Sequence, residues 1–110
     1  MKLSYIYQPT QQADAAAAFF IEHLGMEEAW RDGDDTIGLW LPGRSAQLML
    51  STTDQPVGPM YLVDLLADWI AEHATVAVLD RYDIPGGEVA RFEAPGGSVF
   101  YIYDQATAED

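Results

Sequence analysis

The residues of this chain best suited to bind a small molecule are tyrosines that alternate with apolar residues. Tyr5 and Tyr7 occupy alternate positions near the N-terminus, and Tyr101 and Tyr103 do so near the other end of the sequence. Because successive side chains of a β-strand point to opposite faces, each pair is expected on one face of a strand. Aromatic walls with hydroxyl groups at their rims are typical of small-molecule pockets, and aromatic faces also attract cations.

The same alternation extends this aromatic face to neighbouring strands. The apolar partners expected to face the helices are Ile6, Leu48, Leu50, Phe100 and Ile102. The predicted ligand-binding residues on the opposite face are Tyr5, Tyr7, Trp40, Gln47, Met49, Arg91, Tyr101 and Tyr103. Arg91 is included because it is one of few cations available to meet a ligand carboxylate. The alternatives are that the aromatic residues fill the interior or a dimer interface, and that Arg91 forms an ordinary surface ion pair.

Catalytic chemistry has little support in the residue types present. The chain has no cysteine, and its two histidines, His23 and His73, lie near the ends of predicted helices, where they interact favourably with the helix dipole. No nucleophile elbow, zinc-protease motif or phosphate-binding loop occurs. We therefore predict no catalytic residue.

The charge balance excludes one class of partner. The chain has 18 acidic residues against 5 basic ones, whereas nucleic-acid binding requires many Lys and Arg side chains. The acidity serves solubility or attracts cationic ligands. There is no long apolar run and no basic leader, so we expect a cytoplasmic protein that binds neither nucleic acid nor membrane.

The elements that would position these residues occur twice. The segment 19–23 is echoed by 69–73, and hairpin signals at 41–45 and 94–98 close each half. This pattern predicts an α+β fold of two βαβββ modules, 1–55 and 58–104, within a single domain, 1–110. The predicted strands are 2–7, 26–31, 36–41, 46–51, 60–63, 75–79, 87–93 and 98–103. The predicted helices are 11–24, with Ala13, Ala17, Phe20 and Leu24 on one stripe and Gly25 after its end, and a second from an Asp64 N-cap to about His73.

Several short motifs resemble those of the vicinal oxygen chelate superfamily, which includes glyoxalase I, extradiol dioxygenases and bleomycin resistance proteins. They are Phe19-Phe20, Leu24-Gly25-Met26, Gly86-Gly87, Phe92 and Pro95-Gly96-Gly97, and together they span nearly the whole chain. Ala94 departs from the pattern, because an Asp is usual there. The resemblance implies two modules whose sheets curl around a cup, and a homodimer.

The resemblance also implies where a metal would be held. Catalytic members bind a divalent metal through four side chains, usually His and Glu, from the first and last strands of each module. Those positions fall here on Tyr5, on Met49 or Leu48, within 58–60, and on Tyr101, which are poor ligands for a divalent metal. The resemblance therefore implies a metal-free, cofactor-free binder of a small cationic or aromatic molecule, similar to bleomycin resistance proteins. A metal-dependent lyase or dioxygenase, and an interaction module with a filled cup, remain as alternatives.

Overall fold

The computed structural model describes residues 1–106, which form eight strands and two helices. The elements in chain order are β1 (Lys2–Pro9), α1 (Ala13–Leu24), β2 (Glu27–Asp32), β3 (Thr36–Trp40), β4 (Gln47–Ser51), β5 (Gly58–Leu62), α2 (Leu66–Glu72), β6 (Asp80–Ile84), β7 (Gly87–Ala94) and β8 (Ser98–Gln105). This order confirms the predicted α+β class with two βαβββ modules. Within residues 1–106, neither helix is long and apolar enough to cross a lipid bilayer.

The chain divides into two compact units. We call residues 4–57 the N-terminal unit, and residues 1–3 together with those from Gly58 onward the C-terminal unit. The module limits 1–55 and 58–104 and the single domain 1–110 stay predictions.

The N-terminal unit has a four-stranded sheet in the order β2-β3-β4-β1, with α1 packed on one face. β1 runs parallel to β4, and the other pairs are antiparallel. The small side chains Ala13 and Ala17 are buried against strand residues that include Leu39 and Leu48, so the helix backbone approaches the sheet closely. The predicted helical stripe fails at its last position, because Leu24 is 50% exposed. Gly25 there adopts a left-handed conformation with φ 71°, and the chain turns away.

The C-terminal unit repeats this plan with the order β5-β8-β7-β6. β5 runs parallel to β8, whereas β8, β7 and β6 form antiparallel pairs. Leu66 of α2 is fully buried against Ala90, Phe92 and Ile102, and Trp69 packs against the same cluster. Each sheet is thus apolar on the face that its helix covers.

The predicted strand at 75–79 is wrong, because β6 begins only at Asp80. The segment instead connects α2 to the sheet. The backbone N–H of Val76 donates to the carbonyl of His73 at 2.9 Å in a turn, and the Val76 side chain packs into the core. Apolar residues in this segment therefore anchor a connection rather than a strand.

The predicted N-cap at Asp64 is also wrong. Leu65 occupies the N-cap position of α2, and its side chain makes no capping hydrogen bond. The cap is supplied from β8, where the Oδ2 of Asp104 accepts the backbone N–H of Leu66 at 2.7 Å. The Oδ1 of the same carboxylate accepts the backbone N–H of Glu88 at 3.0 Å. Asp104 is only 9% exposed, so one buried carboxylate ties α2 and β7 to β8.

We expect Asp104→Ala to lower the free energy of unfolding by about 1–3 kcal/mol, because two N–H groups lose a charged acceptor. Asp64→Ala is the matched control and should change stability by less than about 0.5 kcal/mol. Urea unfolding at neutral pH followed by circular dichroism measures both. Equal losses in the two variants would contradict the assignment of the cap to Asp104.

Candidate ligand-binding site

The face of the N-terminal sheet opposite α1 carries most of the predicted binding residues. The strand register places Gln47 between Tyr5 and Trp40, and Met49 between Tyr7 and Gly38. On the other face, the expected apolar partners Ile6, Leu48 and Leu50 pack in the cluster beneath α1. We call the residues Tyr5, Tyr7, Trp30, Trp40, Gln47 and Met49 the N-terminal aromatic face.

Trp30 joins this face because of a β-bulge and was missed from the sequence. Glu28 pairs with Leu39, but the next pair is Trp30 with Gly38, so Ala29 is an extra residue in β2. With regular pairing, Trp30 would lie opposite Ile37 and face α1. The only available signal was Gly38, since a glycine inside a strand often marks a bulge or a close approach.

The indole of Trp30 is fixed on three sides. It lies directly over Gly38, where a β-carbon would collide with the indole Nε1 and Cε2 atoms. Its Nε1 donates a hydrogen bond to the Oε1 of Gln47 at 2.7 Å. The ring of Tyr5 meets it edge-on, with ring centroids 6.3 Å apart and an interplanar angle of 86°. Gly38 is therefore required for Trp30 to reach Gln47.

This hydrogen bond determines the orientation of the Gln47 amide. An indole N–H can only donate, so the oxygen of Gln47 must face Trp30 and the amide NH₂ group must point elsewhere. A half-buried donor is thus held in a fixed direction among Tyr5, Trp30 and Trp40.

Two further aromatic residues of this face have defined surroundings. Burial raises the pKa of Tyr5, and the neighbouring indole of Trp30 offsets part of that rise. One face of the Trp40 ring is already in contact with a cationic side chain, because the guanidinium of Arg44 lies 5.5 Å from the ring centroid. An ion pair of 3.0 Å with Glu27 holds Arg44 there. A ligand can therefore stack on Trp40 only over the ring face that Arg44 does not cover.

The C-terminal sheet brings together the other three predicted residues. Ala90, Phe92 and Ile102 pack beneath α2, so Arg91 lies on the opposite face. Arg91 is directly across from Tyr101 in the register. Two positions along β8, Tyr103 lies on the same face. We call Arg91, Tyr101 and Tyr103 the C-terminal face.

The tyrosines of both faces differ in their access to solvent. Tyr101 and Tyr103 are 1% and 2% exposed, and Tyr7 is 6% exposed. Tyr5, Trp40, Gln47, Met49 and Arg91 are half-buried. A ligand that contacted only the half-buried residues would need no displacement of core side chains, so these five are the accessible part of the predicted set.

The residues at the superfamily's metal positions do not fit a divalent metal. They supply the phenols of Tyr5 and Tyr101 and the thioether of Met49, without an imidazole or carboxylate. At the start of β5, a β-carbon on Gly58 would lie 2.6 Å from the carbonyl oxygen of Val99, so no ligating side chain can be placed there without backbone movement. Across residues 1–106, no three His, Cys, Asp or Glu side chains are grouped to hold a metal ion.

Comparison with solved structures identifies the fold. A glyoxalase/bleomycin resistance protein/dioxygenase superfamily member from Vibrio splendidus 12B01 is 18% identical, with a TM-score of 0.61 over 91% of this chain and 95% of that chain. A methylmalonyl-CoA epimerase is 14% identical, with a TM-score of 0.72 and 97% of both chains covered. The methylmalonyl-CoA epimerase from Mycobacterium tuberculosis is 18% identical, with a TM-score of 0.61 over 96% of this chain and 88% of that chain.

These similarities show that the chain has the glyoxalase/bleomycin resistance-like fold, the fold of the vicinal oxygen chelate superfamily, as the sequence motifs indicated. No protein-family model matches the sequence, and no curated protein matches it either. Because one fold hosts several chemistries, function has to be argued from the residues of the site.

We expect Gly38→Ala to destabilise the protein by about 1–3 kcal/mol, because the added methyl group displaces Trp30 from its place over the strand. In a Trp30→Ala background the same change should cost almost nothing. Urea unfolding of the wild type, both single variants and the double variant measures this coupling. Additive losses would contradict the close approach of Trp30 to Gly38.

We also expect Tyr5 to make stability depend on pH in the alkaline range. Burial raises the pKa of Tyr5 above the 10.0 of a free phenol, so the folded protein favours the neutral form. This contribution is fully present below pH 10.0 and is lost as the pH rises through the folded-state pKa. The free energy of unfolding, measured by urea at increasing pH, should fall less steeply in Tyr5→Phe. An equal fall in both proteins would contradict the raised pKa.

Proposed function

We propose that this chain is a non-catalytic protein that binds and sequesters a small planar aromatic molecule on the N-terminal aromatic face. The observation that carries the proposal is the fixed Trp30–Gln47 pair, with its 2.7 Å hydrogen bond, between Tyr5 and Trp40. Rigid aromatic rings offer stacking surface at little entropic cost, and one oriented amide donor selects a ligand with a hydrogen-bond acceptor.

The charge of the chain supports a preference for cationic ligands. With 18 acidic and 5 basic residues, the protein produces a negative potential that raises the local concentration of cations. Aromatic rings also attract cations through their faces. A planar aromatic cation would use both effects, which is why we place this class above neutral aromatic molecules.

The residue chemistry argues against catalysis. His73 caps the end of α2, with its Nδ1 at 2.8 Å from the carbonyl oxygen of Trp69 and its ring stacked on Trp69 at 4.1 Å. His23 contacts the ring of Phe19 at 4.7 Å in the last turn of α1. Both histidines therefore lie on helices, away from the strand faces that carry the candidate residues. A metal-dependent lyase or dioxygenase would need ligands that the superfamily's positions do not provide.

The proposal predicts that 9-aminoacridine, a planar aromatic cation, binds and stabilises the chain, whereas tetramethylammonium, a cation without a ring, does not. Isothermal titration calorimetry and thermal unfolding measure both compounds. Trp30→Phe should weaken 9-aminoacridine binding by up to about tenfold, because a stacking contact contributes roughly 0.5–1.5 kcal/mol. Trp69→Phe is the matched control, since Trp69 packs beneath α2, and it should leave the affinity unchanged.

Divalent metals provide the opposing test. Nickel, zinc, manganese and iron(II) are added separately in the same thermal assay. Stabilisation by a metal alone, together with turnover of a glutathione adduct or a catechol, would overturn the binding proposal in favour of the enzyme.

A second candidate is an interaction module whose aromatic residues serve packing. The burial of Tyr7, Tyr101 and Tyr103, at 6%, 1% and 2% exposed, favours it. It predicts that neither 9-aminoacridine nor any metal shifts the unfolding temperature. The same thermal assay therefore separates the two candidates.

We further propose that the chain forms a homodimer. Large apolar side chains on α1 support this, because Phe19 is 56% exposed and Leu24 is 50% exposed. Repulsion between acidic copies is screened beyond about 8 Å at physiological salt. Sedimentation velocity at micromolar concentration should give the mass of two chains, and a monomer under these conditions would contradict the proposal.

A further inference from the structure

The ring of Trp40 on the N-terminal aromatic face has both a cation and a carboxylate beside it. The guanidinium of Arg44 lies over the ring, 5.5 Å from its centroid. Glu27 occupies the position directly across from Trp40 in the pairing of β2 with β3. An Nη of Arg44 donates a hydrogen bond to the Oε1 of Glu27 at 3.0 Å. An aromatic ring and a carboxylate thus hold one planar cation together.

The side chains of this group are accessible to solvent. Those of Arg44 and Glu27 are 64% and 66% exposed, and Trp40 is half-buried. An exposed ion pair contributes little to stability, because water solvates both charges when the pair opens. The guanidinium of Arg44 can therefore leave the ring without moving any core side chain, and another cation can take its place.

The backbone conformation of Arg44 is unfavourable for an arginine. Its φ is 57°, and every other residue with a positive φ within 1–106 is a glycine. The turn does not need this side chain, because Pro42 and Gly43 occupy its central positions and the backbone N–H of Arg44 donates to the carbonyl of Leu41 at 2.9 Å. A glycine would adopt this φ without strain. The turn therefore gives no reason for an arginine here, whereas the contacts with Trp40 and Glu27 do.

We propose that Trp40 and Glu27 form a binding site for a planar aromatic amidinium or guanidinium, and that Arg44 is an internal competitor which this ligand displaces. Such a cation has the planar shape and the N–H donors of the side chain that it replaces. It stacks on the ring of Trp40 and donates hydrogen bonds to the carboxylate of Glu27. Its aromatic body adds stacking area that an arginine side chain lacks.

This inference rests on the proposed function, because it names the class of cation that the N-terminal aromatic face selects and a side chain that limits its binding. The two proposals nevertheless fail separately. If 9-aminoacridine does not bind the wild type, the proposed function fails. If it binds, but removal of the Arg44 guanidinium leaves the affinity for an amidinium unchanged, only this inference fails.

The test measures the binding of benzamidine, an aryl amidinium that is a cation at neutral pH, by isothermal titration calorimetry at one salt concentration. Arg44→Gln should bind benzamidine about threefold to tenfold more tightly than the wild type does, because the ligand no longer competes with a tethered cation. Arg44→Gly removes the same guanidinium and suits the positive φ, so it should show the same gain. Benzamide, the neutral analogue, should bind much more weakly to every variant.

Arg81→Gln is the matched control for the change in net charge. Arg81 belongs to the C-terminal unit and is paired with Glu88 at 2.7 Å. Its removal makes the chain more acidic by the same amount as the removal of Arg44, but it should leave the affinity for benzamidine unchanged.

A second comparison tests the carboxylate. Glu27→Gln, introduced into Arg44→Gln, should weaken benzamidine binding by at least about fivefold, because the cation loses its charged acceptor. Glu93→Gln in the same background is the matched control, since Glu93 is an exposed residue of β7, and it should have little effect.

Nuclear magnetic resonance locates the bound ligand. In ¹⁵N-labelled Arg44→Gln, the indole N–H signal of Trp40 is assigned by its loss in Trp40→Phe. Benzamidine should move this signal saturably and leave that of Trp69, which packs beneath α2, nearly unchanged.

Four results would each overturn the inference. They are a benzamidine affinity that does not rise in Arg44→Gln or Arg44→Gly, an equal rise in Arg81→Gln, equal binding of benzamide, and equal effects of Glu27→Gln and Glu93→Gln. An unmoved Trp40 signal up to the solubility limit of benzamidine would overturn it as well.

Discussion

The alternation of side chains along the strands is the constraint on which every site in this protein depends. In each unit a helix covers one face of the sheet. Because successive side chains of a strand point to opposite faces, only every second residue can pack beneath that helix. Leu48 and Leu50 satisfy this in the N-terminal unit, as Ala90 and Phe92 do in the C-terminal unit. The residues that alternate with them do not pack beneath a helix, and they include all the aromatic and cationic candidates on β1, β4, β7 and β8, of which Tyr7, Tyr101 and Tyr103 are nevertheless buried.

The alternation explains why much of the fold could be predicted from the sequence. In β1 and β8 the alternation is visible as tyrosines that alternate with apolar residues, and it assigned Ile6 and Ile102 to the helix side, as the structure does. The repeat of segment 19–23 in 69–73 also has a physical basis. Phe19 contacts His23, and Trp69 contacts His73, through ring contacts one helical turn apart.

The predicted N-cap at Asp64 and the predicted strand at 75–79 were wrong for another reason. In both cases, contacts between residues distant in sequence determined the local structure. Asp64 has the right chemistry for an N-cap, but Asp104 holds the first N–H of α2 from 38 residues away. The apolar segment 75–79 has strand-like composition, but Val76 is drawn into the core beneath α2. The intrinsic preference of a residue for a cap or a strand therefore predicts little where tertiary contacts favour another arrangement.

Trp30 shows how one inserted residue changes a site. Because of the bulge at Ala29, each later residue of β2 faces the side of the sheet opposite to the one expected from regular pairing. Trp30 therefore lies on the aromatic face and Arg31 on the helix face. There Arg31 reaches Asp14 on α1 at 3.0 Å, which stabilises the shifted register from the other side of the sheet. No pattern in residues 27–32 reveals this shift, since the sequence reads equally well with regular pairing. Gly38 is the compensating feature, because only a residue without a side chain leaves room for the displaced indole.

The surroundings of the cationic side chains differ between the two faces. Beside the N-terminal aromatic face, the guanidinium of Arg44 is paired with Glu27 at 3.0 Å. On the C-terminal face, the Nε of Arg91 is buried and has no hydrogen-bond partner among the described residues. Because this N–H group has lost its water without gaining an acceptor, it opposes folding by about 1–3 kcal/mol. The excess of acidic residues therefore does not satisfy every cationic group, because Arg44 at the surface pairs with a carboxylate whereas the buried Nε of Arg91 has no acceptor among the described residues.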